Sequence, residues 1–158
     1  MRVTFEGIRK LDFPAFKAVK NKLVEAKQVP VGTKVTTLVY DQKLNKLVQE
    51  TQVTVQEENS WLISQLVNIP NDTFYNEYVI TDEKFKRLYN HVSGSVYEPK
   101  PGQEKVVYQV DIDLEFPYPT KWNQEGIFYL LEGGYLVEED GEYYGINKYE
   151  FEATHSLI

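Results

Sequence analysis

The chain has 158 residues, of which 42% are hydrophobic and 26% charged, a composition typical of a folded protein and not of a disordered one. It contains no cysteine, which excludes disulfides, thiolate metal sites, iron–sulfur clusters and thiol nucleophiles. The formal net charge is −7, no stretch approaches the ~18 apolar residues of a membrane span, and the N-terminus lacks the apolar core of a signal peptide. These features predict a cytoplasmic protein.

The N-terminal part is predicted to begin with a strand and a helix. Residues 2–8 alternate polar and apolar side chains, as a strand does. Asp12 is a plausible helix N-cap, and Pro14 suits a first helical turn. The predicted helix ends at Pro30, and its core stripe consists of apolar residues at helical spacing: Phe16, Val19, Leu23 and Ala26.

Residues 34–92 are predicted to be mainly β-structure followed by a short helix. Residues 34–40 and 46–56 are rich in β-branched side chains and predict a hairpin. The segment "SWLISQLV", 60–67, is compatible with either helix or strand, and residues 73–80 predict a strand. Thr81 is expected to cap a helix whose apolar face consists of Phe85, Leu88, Tyr89 and Val92.

The segment "SGSVYEPKPGQE", residues 93–104, predicts a linker because it is rich in Pro, Gly and Ser. Residues 1–92 carry 13 basic and 11 acidic residues, whereas residues 93–158 carry 4 and 13, so the negative charge is concentrated in the second part. We therefore expect an α+β lobe over 1–92, a linker over 93–104 and an acidic module over 105–158.

The C-terminal module is predicted to be a small barrel of five short strands. Apolar residues alternate without a break from Val106 to Phe116, which predicts one long strand with a buried face. Residues 126–132 are expected to pair with 135–139 through Glu132-Gly133-Gly134, and these in turn with 142–146 through Asp140-Gly141. A short helix at 147–151 and a last strand at 154–158 complete the module. The expected fold class is α+β, with an N-terminal α/β lobe and an SH3-like C-terminal barrel.

The C-terminal segment resembles a module found in small proteins of tailed phages and mobile elements, a relative of which is the PGDYG family. The resemblance is carried by Gly133-Gly134-Tyr135-Leu136-Val137, then Gly141-Glu142-Tyr143-Tyr144-Gly145-Ile146, then Phe151-Glu152-Ala153-Thr154-His155. Gly134 stands where the module has Asp, and His155 where it has Tyr. The resemblance covers about a third of the chain and implies an origin in a phage or mobile element, but no catalytic residue.

The residues offer little for catalysis or for a metal. The two histidines, His91 and His155, are far apart in the chain, and no glycine-rich phosphate loop opens a helix. Asp111 and Asp113 lie two apart on one predicted strand and could hold Mg²⁺, but a solvated strand face is the favoured interpretation. We expect no enzyme activity, no metal and no cofactor.

Recognition of a protein is therefore the favoured function. With only three arginines and an acidic module, the chain is not expected to read nucleic acid directly. The first hypothesis is an acidic inhibitor of a host defence nuclease, of the anti-CRISPR or anti-restriction type, which binds a partner with a basic surface. The alternatives are a phage structural or assembly protein, and a nucleotide-binding protein or enzyme with a site between the two lobes.

The recognition surface is expected at the hairpin over residues 132–142. Acidic side chains crowd its two turns, and a neighbouring tyrosine is expected to serve as an exposed aromatic anchor. The alternative is that the glycines only form turns and the acids keep an edge strand solvated. The candidate residues are Glu132, Glu138, Glu139, Asp140, Glu142, Tyr143 and Tyr144.

Overall fold

The computed structural model describes residues 1–117, 127–139 and 142–158, with only the backbone of residues 139 and 142. Of these residues, 57% lie in strands and 13% in helices, so the protein is mostly β. The described residues form no closed barrel, and the expected SH3-like closure and α+β class are not confirmed. None of the described helices has the length and apolar character needed to span a membrane.

Seventeen elements follow one another in the described residues. The first half contains α1 (Phe5–Arg9), β1 (Ala15–Lys20), β2 (Val24–Val29), β3 (Lys34–Asp41), β4 (Lys46–Thr54), β5 (Ser60–Ile69), β6 (Asp72–Ile80) and α2 (Asp82–Leu88). The second half contains β7 (Tyr89–Ser93), β8 (Val96–Pro99), β9 (Glu104–Gln109), β10 (Leu114–Pro117), β11 (Ile127–Leu130), β12 (Tyr135–Glu139), β13 (Glu142–Ile146), α3 (Lys148–Thr154) and β14 (His155–Leu157).

The first sheet has five strands in the order β13-β12-β9-β1-β14, and every neighbouring pair is antiparallel. Phe151 of α3 packs on one face, in a cluster with Ala18, Val107, Tyr135 and Val137. The two-stranded sheet β10-β11 and α1 cover the other face, where the largest buried side chains of the cluster include Leu114, Phe116, Phe128, Leu130 and Leu136. Each face of this sheet is thus buried by a different part of the chain.

The second sheet also has five strands, in the order β6-β5-β2-β8-β7. Its inner face packs on α2, where Trp61 and Phe85 stack with ring centroids 4.0 Å apart. The hairpin β3-β4 and α3 meet the same sheet in a separate cluster around Val67 and Phe74. Among the described residues, no element covers the other face of β5 and β6, and along these strands exposed or half-buried residues of that face alternate with more buried residues of the inner face.

The two large sheets do not follow the expected division of the chain at 93–104. β1, from the first 92 residues, pairs with β9 and β14, so it belongs to the same sheet as the C-terminal strands. The expected linker contains β8, which pairs with β2 and β7. A composition rich in Pro, Gly and Ser marks turns, and here the turns flank a strand that hydrogen bonds on both edges.

The predicted helix over residues 14–29 is wrong, because this segment forms β1 and β2. In β2, Val24 and Ala26 are buried while Glu25 and Lys27 are exposed, a period of two. The predicted strand over 2–8 is also wrong: Thr4 accepts a hydrogen bond from the amide of Gly7 at 3.0 Å and caps α1. In both segments the spacing of the apolar residues is compatible with a helix and with a strand, and tertiary packing determines which of the two forms.

The long strand expected from Val106 to Phe116 is interrupted after Gln109. The chain bends at residues 111–113, after β9. The C-terminal part of the expected strand then forms β10, which pairs with β11. β11 does not pair with β12 as expected, since β12 lies between β9 and β13. The hairpins β3-β4 and β12-β13, strand β6, helix α2 with its Thr81 cap, helix α3 and strand β14 confirm the predictions.

Gly145 is required by packing. A Cβ at this position would lie 2.5 Å from a ring carbon of Phe128, in the core of the first sheet. We expect Gly145→Ala to lower the free energy of unfolding by about 1–3 kcal/mol, because the buried aromatic ring must move. Urea denaturation measures this change.

Gly7→Ala is the matched control. A Cβ at Gly7 meets Thr4 at 3.4 Å and Val3 at 3.7 Å, both ordinary contacts, and Gly7 lies in α1, where alanine is the better helix former. Its free energy of unfolding should stay the same or rise slightly. Equal losses for the two variants would show that the close approach at Phe128 is not what requires glycine at 145.

Candidate functional site

Tyr143, one of the two tyrosines expected as the aromatic anchor of the acidic hairpin, is buried. Tyr143 is only 6% exposed and packs in the core between the first sheet and β10-β11. Its hydroxyl donates a hydrogen bond to Oε2 of Glu138 at 2.9 Å, and burial followed by this hydrogen bond raises the pKa of Tyr143. Glu138 is exposed, but its carboxylate is held by a buried tyrosine.

The other candidates of this hairpin are divided between two faces. Tyr144 is half-buried against the cluster that contains Phe151, on the side of the sheet opposite to Tyr143. Glu139 and Glu142 are paired in register, and nothing is described of their side chains. Asp140 lies outside the described residues. Of the two tyrosines, Tyr144 is the one that keeps exposed surface, and its role as an anchor stays a prediction.

Glu132 lies at the other end of β12, in a separate charged corner. Its amide donates to Oδ1 of Asp113 at 2.8 Å, and Lys43 reaches both carboxylates, at 3.3 Å from Asp113 and 3.5 Å from Glu132. The hydrogen bond to Asp113 is the main cause of the raised pKa of Lys43. Asp113 is thus occupied by a lysine and an amide, and the described residues contain no group of three or more acidic, His or Cys side chains that could hold a metal.

The most unusual polar groups of the protein are two buried glutamates. Glu50 of β4 is 9% exposed and Glu150 of α3 only 5%. Nδ2 of Asn147 donates to Oε2 of Glu50 at 2.5 Å, whereas neither oxygen of Glu150 has a hydrogen bond to another residue in the described part of the chain. Burial raises the pKa of Glu150 to about 8. Burial, and then the nearby charge of Glu150, raises the pKa of Glu50 well above its usual value.

A β-bulge directs Glu50 inward. Thr37 pairs with Thr51 and Leu38 pairs with Gln49, so Glu50 is an extra residue with no partner on β3. Consecutive residues of a regular strand point to opposite faces, yet Glu50 and Thr51 are both buried. Bulges of this kind redirect a side chain, and here the redirected side chain is a carboxylate.

The depression beside Asn147 is small, and neither of the two buried glutamates lines it. The depression bounded by Tyr40, Lys43, Asn147 and Tyr149 has a volume of about 60 Å³. Pockets for small ligands are roughly 300–1,000 Å³. The buried carboxyls can exchange a proton, but the depression cannot enclose a substrate beside them.

The two histidines serve local structure. His91 contacts the carbonyl of Gly94 through Nε2 at 2.9 Å, in the turn between β7 and β8. His155 is buried, with Nδ1 2.7 Å from the hydroxyl of Thr154, and its ring stacks on Phe151. Burial, aided by the charges of Lys105 and Lys20, lowers the pKa of His155 to about 3, so this histidine is neutral at pH 7.

A second candidate site is the uncovered side of the second sheet, here called the open face. It contains a hollow of about 300 Å³. Leu66 is 47% and Tyr75 57% exposed, and they are cross-strand partners. Ser64 donates to Glu77 at 2.6 Å beside them. The open face consists of Glu25, Lys27, Leu62, Ser64, Leu66, Tyr75, Glu77, Val96 and Glu98.

The sequence pattern of β5 indicates the open face, although the residues that indicate it are apolar and not of a catalytic or metal-binding type. The segment "SWLISQLV" is apolar at both alternating sets of positions, with Ile63 and Val67 buried inside and Leu62 and Leu66 outside. A strand with one solvated face normally has polar residues outside. The apolar residues on the outer set therefore mark an unusual surface, once the segment is known to be a strand.

Comparison with protein-family models, with curated protein sequences and with solved structures finds no match to this chain. The resemblance of the C-terminal segment to a phage module stays a prediction. The site must be interpreted from its geometry.

We expect Asn147→Ala to lower the free energy of unfolding by about 2–3 kcal/mol. The substitution leaves three buried groups without this partner, namely the amide of Leu131, the carbonyl of Tyr129 and the carboxyl of Glu50. Urea denaturation measures the change. Asn68→Ala, at an exposed position of β5, is the control and should change stability by less than about 0.5 kcal/mol. Similar effects of the two substitutions would contradict a structural role of the Asn147 side chain.

Proposed function

We propose that this protein is a non-catalytic binding protein that docks a basic, partly apolar segment of a protein partner on the open face. The observation that carries the proposal is the hollow of about 300 Å³ beside the exposed pair Leu66 and Tyr75. Exposed apolar groups surrounded by polar ones are typical of protein interaction sites. Tyrosine is enriched at such sites because its ring contributes area and its hydroxyl a hydrogen bond.

The charges around the hollow favour a basic partner. Glu25, Glu77 and Glu98 outnumber Lys27 on this face, and the chain as a whole carries a net charge of −7. Complementary charge mainly accelerates association and discriminates against partners of the same sign. An apolar side chain of the partner would fill the hollow, and its basic residues would meet the glutamates.

The buried glutamates do not favour an enzyme with a site between lobes. Neither lines the depression beside Asn147, whose volume of about 60 Å³ is in any case below that of small-ligand pockets. The hollow on the open face is larger, and the described charged residues that line it are Glu25, Lys27 and Glu77, without a histidine.

The acidic hairpin over 132–142 is a second candidate surface, favoured by the exposure of Glu138 at its end. An inhibitor of a host nuclease is one form of the proposed function, since a nuclease cleft is basic. That form rests on the acidic C-terminal residues and on their resemblance to a phage module. A phage assembly protein is the alternative within the same class, and we place either one in the cytoplasm.

The experiment selects ligands from a library of random peptides on the immobilised full-length protein. We expect the enriched peptides to combine lysine or arginine with a large apolar residue. Leu66→Lys should weaken binding of an enriched peptide at least tenfold, because it removes apolar contact and adds a charge of the same sign as the peptide. Fluorescence anisotropy at low and high salt measures the affinity.

Leu44→Lys is the matched control, since Leu44 is 57% exposed in the turn between β3 and β4, away from the open face. Its affinity should equal that of the wild type. If Glu138→Lys, Glu139→Lys and Glu142→Lys together abolish binding and Leu66→Lys does not, the hairpin and not the open face is the surface. Enrichment of acidic peptides would contradict the proposed partner chemistry.

A further inference from the structure

The two buried glutamates come from separate parts of the chain and meet where α3 packs. The bulge in β4 directs Glu50 inward, and α3 brings Glu150 from the C-terminal end of the chain. Asn147, which precedes α3, supplies one N–H to Glu50. A carboxylate without a counter-charge is costly to bury, and two adjacent ones cost more because they repel.

In the part of the chain that the structure describes, no basic side chain forms an ion pair with either glutamate. β3 contributes Tyr40, whose ring lies edge-on to Tyr149 of α3. β11 contributes the backbone of Tyr129, and β5 contributes Gln65, whose Oε1 is buried without a partner in the described residues. The lysines near this region are engaged elsewhere: Lys43 binds Asp113 and Glu132, and Lys148 lies over the ring of Tyr149.

We infer that Glu50 and Glu150 form a buried proton-binding site that fastens α3 to the rest of the fold and loosens it when the proton is lost. A protonated carboxyl is uncharged, so burying it without a hydrogen-bond partner costs far less than burying a carboxylate. Loss of the proton to water leaves two negative charges in the same buried space. Separating them requires α3 to move away from β4.

Helix α3 is well placed to transmit such a change. Its Phe151 packs into the first sheet, while Tyr149 and Ala153 pack with Tyr40, Val67 and Phe74 beside the second. β14 follows it directly and pairs with β1. Loosening of α3 would therefore expose apolar surface on both sheets and free an edge strand.

The direction of the pH effect follows from proton binding. The folded state holds the proton of Glu150 up to a pKa of about 8, whereas the usual value is 4.5. The stability that this proton contributes is therefore fully present below pH 4.5, falls as the pH rises, and is lost above about pH 8. His155 has the opposite effect, because its neutral form is the one that the fold favours. The stability that neutral His155 contributes to the folded state is lost as the pH falls from 6.5 towards 3.

The test compares thermal unfolding of the wild type, Glu150→Gln and Glu152→Gln at pH 5, 7 and 9. Glutamine resembles the protonated glutamate, so the Tm of Glu150→Gln should fall between pH 5 and pH 9 by about 5 °C less than that of the wild type. Glu152 lies on the exposed side of the same helix, and its variant should behave like the wild type. Identical pH profiles for all three proteins would overturn the inference.

NMR titration of the wild type tests the same inference even if Glu150→Gln does not fold. Carboxyl carbons of glutamate in the wild type can be followed by ¹³C NMR, with Glu50→Gln as a second assignment variant. We expect one carboxyl to titrate above pH 7 and the amide hydrogen exchange of α3, corrected for intrinsic rates, to increase over the same range. Titration of every glutamate below pH 5.5 would overturn the inference. So would a rise of Tm at pH 8 on addition of Mg²⁺ or Ca²⁺ that Glu150→Gln abolishes, because the pair would then hold a cation.

Discussion

The side-chain amide of Asn147 joins three parts of the chain at one buried point. Its oxygen accepts the amide of Leu131, and its nitrogen donates to the carbonyl of Tyr129 and to Glu50. The side-chain oxygen of an asparagine before a helix usually accepts a hydrogen bond from an amide of the first turn of that helix. Asn147 makes no such capping bond. The residue that begins α3 is therefore held by β4 and β11 and not by a local cap, whereas the helix itself packs on β5. The other contacts of the helix depend on this arrangement.

The helix itself is too short to be stable alone, because isolated helices need about 12–15 residues in water. Its seven residues are held by Phe151 on one side and by Tyr149 and Ala153 on the other, between clusters that belong to different sheets. Glu150 lies in the same helix, between Tyr149 and Phe151 in the chain. It is buried without a hydrogen bond to another described residue. An acid in such a place favours its neutral form, so the packing that orders α3 also makes it responsive to protons.

The same packing leaves one large surface uncovered. α2, α3 and the hairpin β3-β4 all meet the inner face of the second sheet, so its outer face has no partner in the described residues. Solvated sheet faces are usually polar, whereas here Leu66 and Tyr75 stand beside a hollow. The core therefore determines which residues are available for binding, and the charges around the hollow determine the kind of partner.

The sequence by itself determined the local elements: the hairpins β3-β4 and β12-β13, the helix after Thr81, and the helix and strand at the end of the chain. Turn residues, caps and a clear apolar period act within a few residues, so a short window contains the information. The tertiary structure alone decided the rest. Phe16 and Val19 fit a helix or a strand until pairing of β1 with β9 and β14 settled the period, and the sheets crossed the expected boundary at 93–104. Contacts between distant segments bury Glu50 and Glu150. They also determine which side chains of β5 face the core and which face solvent. Such contacts depend on which surfaces pack together, and no local pattern specifies that.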